Sequence, residues 1–422
     1  MKTFAIKTLG CKVNQYEEQV IRESLLKQGF VEEDPVKAEI FIVNSCTVTE
    51  QANVKTRKIT RRIKKENPSA KIIVTGCYAV LPEDIEELNA LEEVDMVVPG
   101  GRKTEIARIL MPGIEEKKTC SEEITELREH TRTFLKVQDG CDQKCSYCKV
   151  NIVRGRSRSK DEEDVLREVK ELSKKSKEIV LTGICLGSWK GDISKDLAGL
   201  VSRINRIDGD FRIRLSSIEP NHITEDLIKI ISGNRVCPHL HIPLQSGSDM
   251  ILKAMNRRYD TARFRDIVKR VRDRIPLVGI TMDVITGFPG ETEEEAENTV
   301  RFIKEIGPSR LHVFTYSERK GTAAYSMKNK VPGNIAKERT KVLIELGKVL
   351  QIEFCRNFIG KEVKILVEKV SITGQVEGYT GEYLRLKTME SSGKYKKGDI
   401  AGFIVKKIDE NNSCLMGTAP YY

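Results

Sequence analysis

Apolar residues in the first hundred positions fall in short runs, and longer stretches of helical period follow two of them. TFAIKTLGC, EIFIVNSC and KIIVTGC have strand length and composition. QYEEQVIRESLLKQG and TVTEQANVKTRKITRRIKKEN come after the first two and repeat apolar positions every three or four residues. Thr47 and Glu50 have the spacing of a capping box, which predicts a helix starting just after Cys46. Each run ends in a cysteine: Cys11, Cys46 and Cys77, spaced 35 and 31 residues apart, about one strand–helix unit. Strands joined by right-handed helical crossovers lie parallel. The three thiols are therefore expected along one edge of one sheet, the edge where open α/β sheets bind ligands. That placement suits a shared metal or cluster site, with Gly10 and Gly76 allowing tight backbone and Asn14, Asn44 and Ser45 offering polar contacts.

Alternation resumes near residue 132. TFLKVQD, EIVLTGI, RIRLSSI, HLHIPL, GITMDVITGF and LHVFTY read as strands separated by amphipathic helices. Six such units predict a partial (β/α)6 barrel with its chemistry on the loops at the carboxyl ends of the strands. After the long helical pattern ERTKVLIELGKVLQIEFCRNFIG, short alternating runs predict a small antiparallel β-barrel. The expected class is α/β, with an N-terminal parallel-sheet domain over 1–112, a barrel over 127–355 and the small β-barrel over 356–422.

Composition narrows the chemistry. A chain of 422 residues exceeds one compact core. No apolar run reaches the roughly 18 residues of a membrane span, and no secretory apolar stretch opens the chain. A cytoplasmic protein with no membrane partner is expected, and its eleven cysteines then point to metal binding or catalysis before disulfides. The net charge of +10 favours a polyanionic partner such as RNA. RGRSRSK, with Arg154, Arg156 and Arg158, follows the first barrel loop and reads as a phosphate contact. KTRKITRRIKK reads as a solvated helix face, and Arg257 in NRRY as a partner for a carboxylate or an RNA phosphate. Tyr379, Tyr383 and Phe403 suit either base stacking or the core of the small barrel.

The first barrel loop is GCDQKCSYCKV, with Cys141, Cys145 and Cys148 in a C-x3-C-x2-C spacing. Three thiolates can hold three irons of a [4Fe–4S] cluster and leave the fourth open to a small chelating molecule. A zinc knuckle completed by His239 or His241 is the competing reading. The loop resembles the radical S-adenosylmethionine (SAM) superfamily, which implies that the amino and carboxylate groups of SAM take the fourth iron. Tyr147 matches the aromatic residue common there. MDVITGFPGE (Met282–Glu291) matches the G-x-I-x-G-x-x-E region of that superfamily, with Asp283 at its first glycine and Gly287 placed for backbone to approach adenine. Ser216, Ser217, Glu219 and Gln245 are offered for ribose, methionine or substrate.

Over the whole chain the sequence resembles the methylthiotransferases, which carry an N-terminal three-cysteine domain, a radical-SAM partial barrel and a TRAM tail. TLGCKVNQYE, RIRLSSIEP, HIPLQSGSD, MNRRY and HVFTYSERKGTAA resemble the branch acting on tRNA with N6-threonylcarbamoyladenosine at position 37. The resemblance implies two [4Fe–4S] clusters, SAM, an electron donor and a sulfur donor. The Cys141/Cys145/Cys148 cluster would generate a 5′-deoxyadenosyl radical from SAM, and the Cys11/Cys46/Cys77 cluster would hold the sulfur that becomes the methylthio group. Asn151 and Thr315 depart from the proline usual at those positions, and Cys185 from asparagine; Cys185 reads as an incidental core thiol. Competing readings are an isopentenyladenosine-37 tRNA or a ribosomal protein as substrate, and a non-catalytic zinc- and RNA-binding protein.

Overall fold

The structure, a computed structural model, describes residues 2–111, 123–125, 131–389 and 395–419. The expected boundary between residues 112 and 127 falls largely outside them. The N-terminal part is a five-stranded parallel sheet in the order Val31–Glu32, Thr3–Thr8, Ile40–Ser45, Lys71–Gly76, Met96–Val97. The three cysteine-terminated runs are its central strands. The central Ile40–Ser45 is buried at every position, as befits a strand covered on both faces. Helices Lys12–Lys27 and Glu50–Glu66 form the crossovers.

The capping-box expectation needs correction. The second helix starts at Glu50, and Thr49, not Thr47, caps it by accepting from the Ala52 amide at 3.3 Å. Thr47 and Glu50 are held elsewhere. The Thr47 hydroxyl accepts from Arg319 Nη2 at 2.7 Å, and the Glu50 carboxylate pairs with Arg319 Nη1 at 2.5 Å. A distant arginine has taken both halves of the local motif.

All six expected barrel strands are present, in the order Thr133–Lys136, Glu178–Thr182, Arg212–Leu215, His239–His241, Gly279–Thr286, Arg310–Thr315. They form two parallel three-stranded sheets, which the single bridges Ile213↔Val236 and Ser217↔His241 join into a continuous partial barrel. Its apolar core packs against helices such as Glu162–Leu172, Leu197–Ile204 and Thr261–Arg274.

Helix Gly333–Arg356 leads into a closed five-stranded barrel. The expectation of a wholly antiparallel barrel fails at one seam, where Arg385–Thr388 pairs with Cys414–Thr418 in parallel. An odd number of strands cannot alternate in direction all the way round a closed ring, so one parallel pair is obligatory. Phe403, offered for base stacking, is fully buried in this barrel's core against Tyr395.

A buried carboxylate fastens the small barrel to the large one. Glu178 faces Arg132, Arg212 and Arg214 at 2.6 to 3.1 Å. Arg212 and Arg214 also donate to the carbonyls of Tyr379, Thr380 and Gly381 in the small barrel. Burial alone would raise the Glu178 carboxyl, but the arginines outweigh it and hold it at about 2. A depressed carboxyl stabilises the fold above its unfolded value, near 4.3, and that stability is lost as pH falls toward 2. Glu178→Gln is therefore expected to cost about 3–5 kcal/mol near neutral pH, because it strands buried arginines. Denaturant unfolding should show the gap between wild type and variant closing from about pH 4 toward pH 2.

Candidate cluster sites

Cys11, Cys46 and Cys77 leave the carboxyl ends of three adjacent strands. In register, Thr8 lies opposite Asn44, and Ser45 opposite Gly76. Cys46 and Cys77 are buried and Cys11 is exposed. Asn14 ties the three loops together. Its Nδ2 donates to the Leu9 and Ser45 carbonyls at 2.9 Å, and its Oδ1 receives the Cys11 thiol at 3.5 Å and the Cys77 thiol at 3.9 Å. Gly10 (φ +109°) must lack a side chain, because a Cβ there would stand 2.8 Å from the Cys46 Cβ. Burial raises the Cys46 thiol and lifts Cys77 to about 12, against the opposing pull of Arg154.

Arg154 makes the defining contact of this site. It ends the helix Val150–Arg154, just after the second cysteine loop, and reaches back into the first site. Its Nε lies 3.1 Å from Cys77 Sγ, and its Nη2 donates to Asn14 Oδ1 at 2.7 Å. Both terminal nitrogens meet Glu17, at 2.5 and 3.1 Å. Glu17 is 2% exposed and is also paired with Lys103 at 2.6 Å. Burial opposes its charge, yet Lys103, Arg154 and Lys136 hold its carboxyl well below the ordinary range.

Cys141, Cys145 and Cys148 are all partly exposed on their loop. Backbone amides point at the sulfurs, Gln143 N to Cys141 and Val150 N to Cys148, each at 3.4 Å. Arg257 Nη1 lies 3.1 Å from Cys145 Sγ and its other end pairs with Glu219. Cys185 also approaches: a hydrogen bond from it draws the Cys141 thiol down to about 7, and His222 Nδ1 lies 3.9 Å from Cys185 Sγ. Cys185, read as an incidental core thiol, is buried, and its thiol is an electrostatic neighbour of Cys141.

Each trio offers three soft donors at one place with an arginine beside them, which fits an iron–sulfur cluster. Neither trio has its three sulfurs all within 4.8 Å of one another among the described residues. A tetrahedral zinc with Zn–S near 2.3 Å needs roughly 3.8 Å between sulfurs, so a larger centre suits these spacings better. The histidines considered for zinc are engaged elsewhere: His239 and His241 both meet the Thr281 hydroxyl, and His241 meets Asp283.

Comparison with known proteins agrees. The Radical SAM superfamily matches residues 135–303, and an uncharacterized protein family, UPF0004, matches residues 3–99. The threonylcarbamoyladenosine tRNA methylthiotransferase MtaB of Thermotoga maritima is 38% identical over 412 residues, with 91% of each chain covered. MtaB of Bacillus subtilis is 36% identical, covering 92% of this chain and 90% of its own. The chain belongs to the radical-SAM methylthiotransferases. A sister enzyme of Acetivibrio thermocellus, a tRNA-2-methylthio-N(6)-dimethylallyladenosine synthase, is 33% identical over 88% of this chain and 82% of its own. Among solved structures, the radical SAM methyltransferase TsrM of Kitasatospora setae shares the fold, with a TM-score of 0.56, 13% identity and 77% coverage of both chains. No described helix is long and apolar enough to cross a membrane.

Within this methylthiotransferase, several expected site residues take other places. Arg154 and Arg257, expected at RNA phosphates, are buried on cluster-loop sulfurs instead. At Gly287 (φ +73°) a Cβ would meet Ala336 Cβ at 2.4 Å, so the helix Gly333–Arg356 packs against it, while Gly290 has free space. Tyr147 packs edge-on against Phe288 at 6.3 Å. Ser216 leaves a buried hydroxyl without a partner near the carboxyl ends of the strands. Gln245 adopts φ +67° and bridges to the strand that carries Asp283. Asp283 receives His241 Nε2 at 3.1 Å and His312 Nδ1 at 3.2 Å. Burial would raise its carboxyl, but these two bonds hold it well below the ordinary range. Arg156 and Arg158 remain exposed. In the Lys55–Lys65 run, Arg57, Arg61, Arg62 and Lys64 pair with acids, as a solvated face would. Glu17, His312 and the Cys185 contact carried no local motif in the sequence. Arg154→Gln is expected to leave Glu17 to Lys103 and Lys136 alone, remove the guanidinium from Cys77 and Asn14, and loosen the first trio. Iron in the anaerobically reconstituted protein should fall from about eight per chain toward four.

Proposed function

We propose that the chain methylthiolates C2 of N6-threonylcarbamoyladenosine at position 37 of tRNA. Full-length similarity to enzymes named for that substrate supports the reading, and one observation carries the mechanism: Arg154, on the short helix that follows the Cys141/Cys145/Cys148 loop, reaches to 3.1 Å from Cys77 Sγ of the other trio. When bound, two [4Fe–4S] clusters would supply an electron to SAM at one site and a place for the transferable sulfur at the other. Cys141, Cys145 and Cys148 would hold the first, with Arg257 balancing charge at Cys145. Cys11, Cys46 and Cys77 would hold the second, with Asn14 and Arg154 fixing its loops. C2–H of adenine is not acidic, so a proton-abstracting base has no purchase on it; the chain's task is to bring that carbon between the trios. An electron donor and a sulfur donor complete the set of partners.

The exposed Arg156 and Arg158 are assigned to RNA phosphate contacts beside the first barrel loop. Their joint replacement by serine should weaken tRNA binding and reduce the slope of log affinity against log salt by about 1 to 2.

The deciding test is anaerobic incubation of the reconstituted protein with tRNA, SAM, a low-potential reductant and sulfide, followed by mass spectrometry of the nucleosides. 2-Methylthio-N6-threonylcarbamoyladenosine is expected, while modification only of isopentenyladenosine or of a ribosomal protein rejects the reading. Cys11→Ala should abolish methylthiolation yet retain reductive SAM cleavage. Loss of that cleavage would reject the division of labour between the trios.

A further inference from the structure

The substrates named for this chain's relatives differ at N6 of adenine. A threonylcarbamoyl group ends in a carboxylate, whereas a dimethylallyl group is hydrocarbon throughout. A pocket that separates the two needs a cation that the carboxylate satisfies and the hydrocarbon leaves unpaired. N6 and C2 lie on the same edge of the purine, on either side of N1. With C2 held beside the Cys11 trio, the N6 substituent runs into the adjoining wall.

Lys12 stands in that wall. It directly follows Cys11 and opens the helix Lys12–Lys27. Its ammonium lies within electrostatic reach of Arg132, Arg214 and Tyr383, and of His239 in the barrel bore. Lys12 itself is half-buried. The neighbouring cations are already matched. Arg214 pairs with Glu178, and Arg132 with Glu178 and Glu368. Lys12 takes part in none of the hydrogen bonds or ion pairs found among the described residues. Beside it, His239 is 4% exposed and leaves Nδ1 without a partner. The Tyr383 hydroxyl accepts from Arg132 at 3.2 Å, which leaves its own proton free to donate. A largely buried positive wall with an unpaired ammonium, an unpartnered imidazole nitrogen and a free hydroxyl proton is short of one anion.

Building on the function proposed above, we infer that Lys12 reads the substrate's carboxylate. Its ammonium pairs with the acid end of the N6-threonylcarbamoyl group, Tyr383 donates to the same group, and Lys12 thereby sets the preference over hydrocarbon N6 substituents.

The test changes charge on both sides of the contact. Anticodon stem-loop RNAs carry threonylcarbamoyladenosine or its methyl ester at position 37, and KM and kcat are measured separately. For the wild type, KM for the ester should be about 30-fold or more above that for the acid, with kcat little changed. Lys12→Met should raise KM for the acid to the ester's value and leave the ester unaffected; Lys12→Arg should keep the preference. Iron content is followed in parallel because Lys12 adjoins Cys11. For a variant that loses iron, equilibrium binding of the two RNAs gives the same comparison without turnover. A wild type indifferent to the ester overturns the inference, and so does a Lys12→Met protein that still prefers the acid. A wild type that methylthiolates neither RNA overturns the proposed substrate itself, and the inference with it.

Discussion

Each cysteine trio is backed by one arginine held by one glutamate, and the rest of the site is arranged around these two pairs. Arg154 lies 3.1 Å from a sulfur of the first trio and is gripped by Glu17; Arg257 lies 3.1 Å from a sulfur of the second and is gripped by Glu219. A guanidinium enclosed in protein is costly unless its charge is matched, and a matched guanidinium has little freedom to move. The glutamates therefore aim the arginines as well as neutralise them. Of the two, Arg154 has the wider consequence. It belongs to the segment that carries the second trio and touches the first, so one short helix and one side chain link the two sites directly, alongside the Lys149–Asp84 and Arg319–Glu50 pairs.

The sequence disclosed those features whose cause is local or periodic. A cysteine closing each of three successive strands becomes a cluster of thiols once the strands lie parallel, and the sheet keeps that arrangement in register. The six-unit barrel was legible for the same reason, since each strand–helix unit carries its own apolar period. What escaped were choices made by distant partners. Arg154 sits in a run, RGRSRSK, that looks like a phosphate contact. Its destination depends on Glu17, 137 residues away, which no local pattern announces. Thr47 and Glu50 fit a capping box, but Arg319 engages both, and the helix starts at Glu50 with Thr49 as its cap. For Phe403 the sequence left stacking and core both open, and closure of the small barrel decides for the core.

The same reasoning separates the two ends of the large barrel. At the amino ends of its strands the bore is closed by charge: Glu178 with its arginines, capped by carbonyls of the small barrel. Further along, His241, Asp283 and His312 form a polar group whose carboxylate already accepts from both rings. Such a lining excludes an apolar ligand from the bore without leaving Asp283 unsatisfied, and it keeps water and polar substrate groups compatible with the wall. The small barrel also reaches into the bore of the large one. Tyr383 stacks with Tyr379 at 5.1 Å and with His239 at 4.9 Å, so the tail contributes to the floor of the same cavity.

Burial of the thiols adds a constraint on assembly. Burial lifts Cys77 and Cys148 to about 12, so without metal both remain protonated and uncharged near neutrality. Neutral thiols sit in these enclosed loops at small cost, but they leave Arg154 and Arg257 facing groups that return little charge. Metal coordination would ionise these thiols beside guanidinia that Glu17 and Glu219 already hold in place.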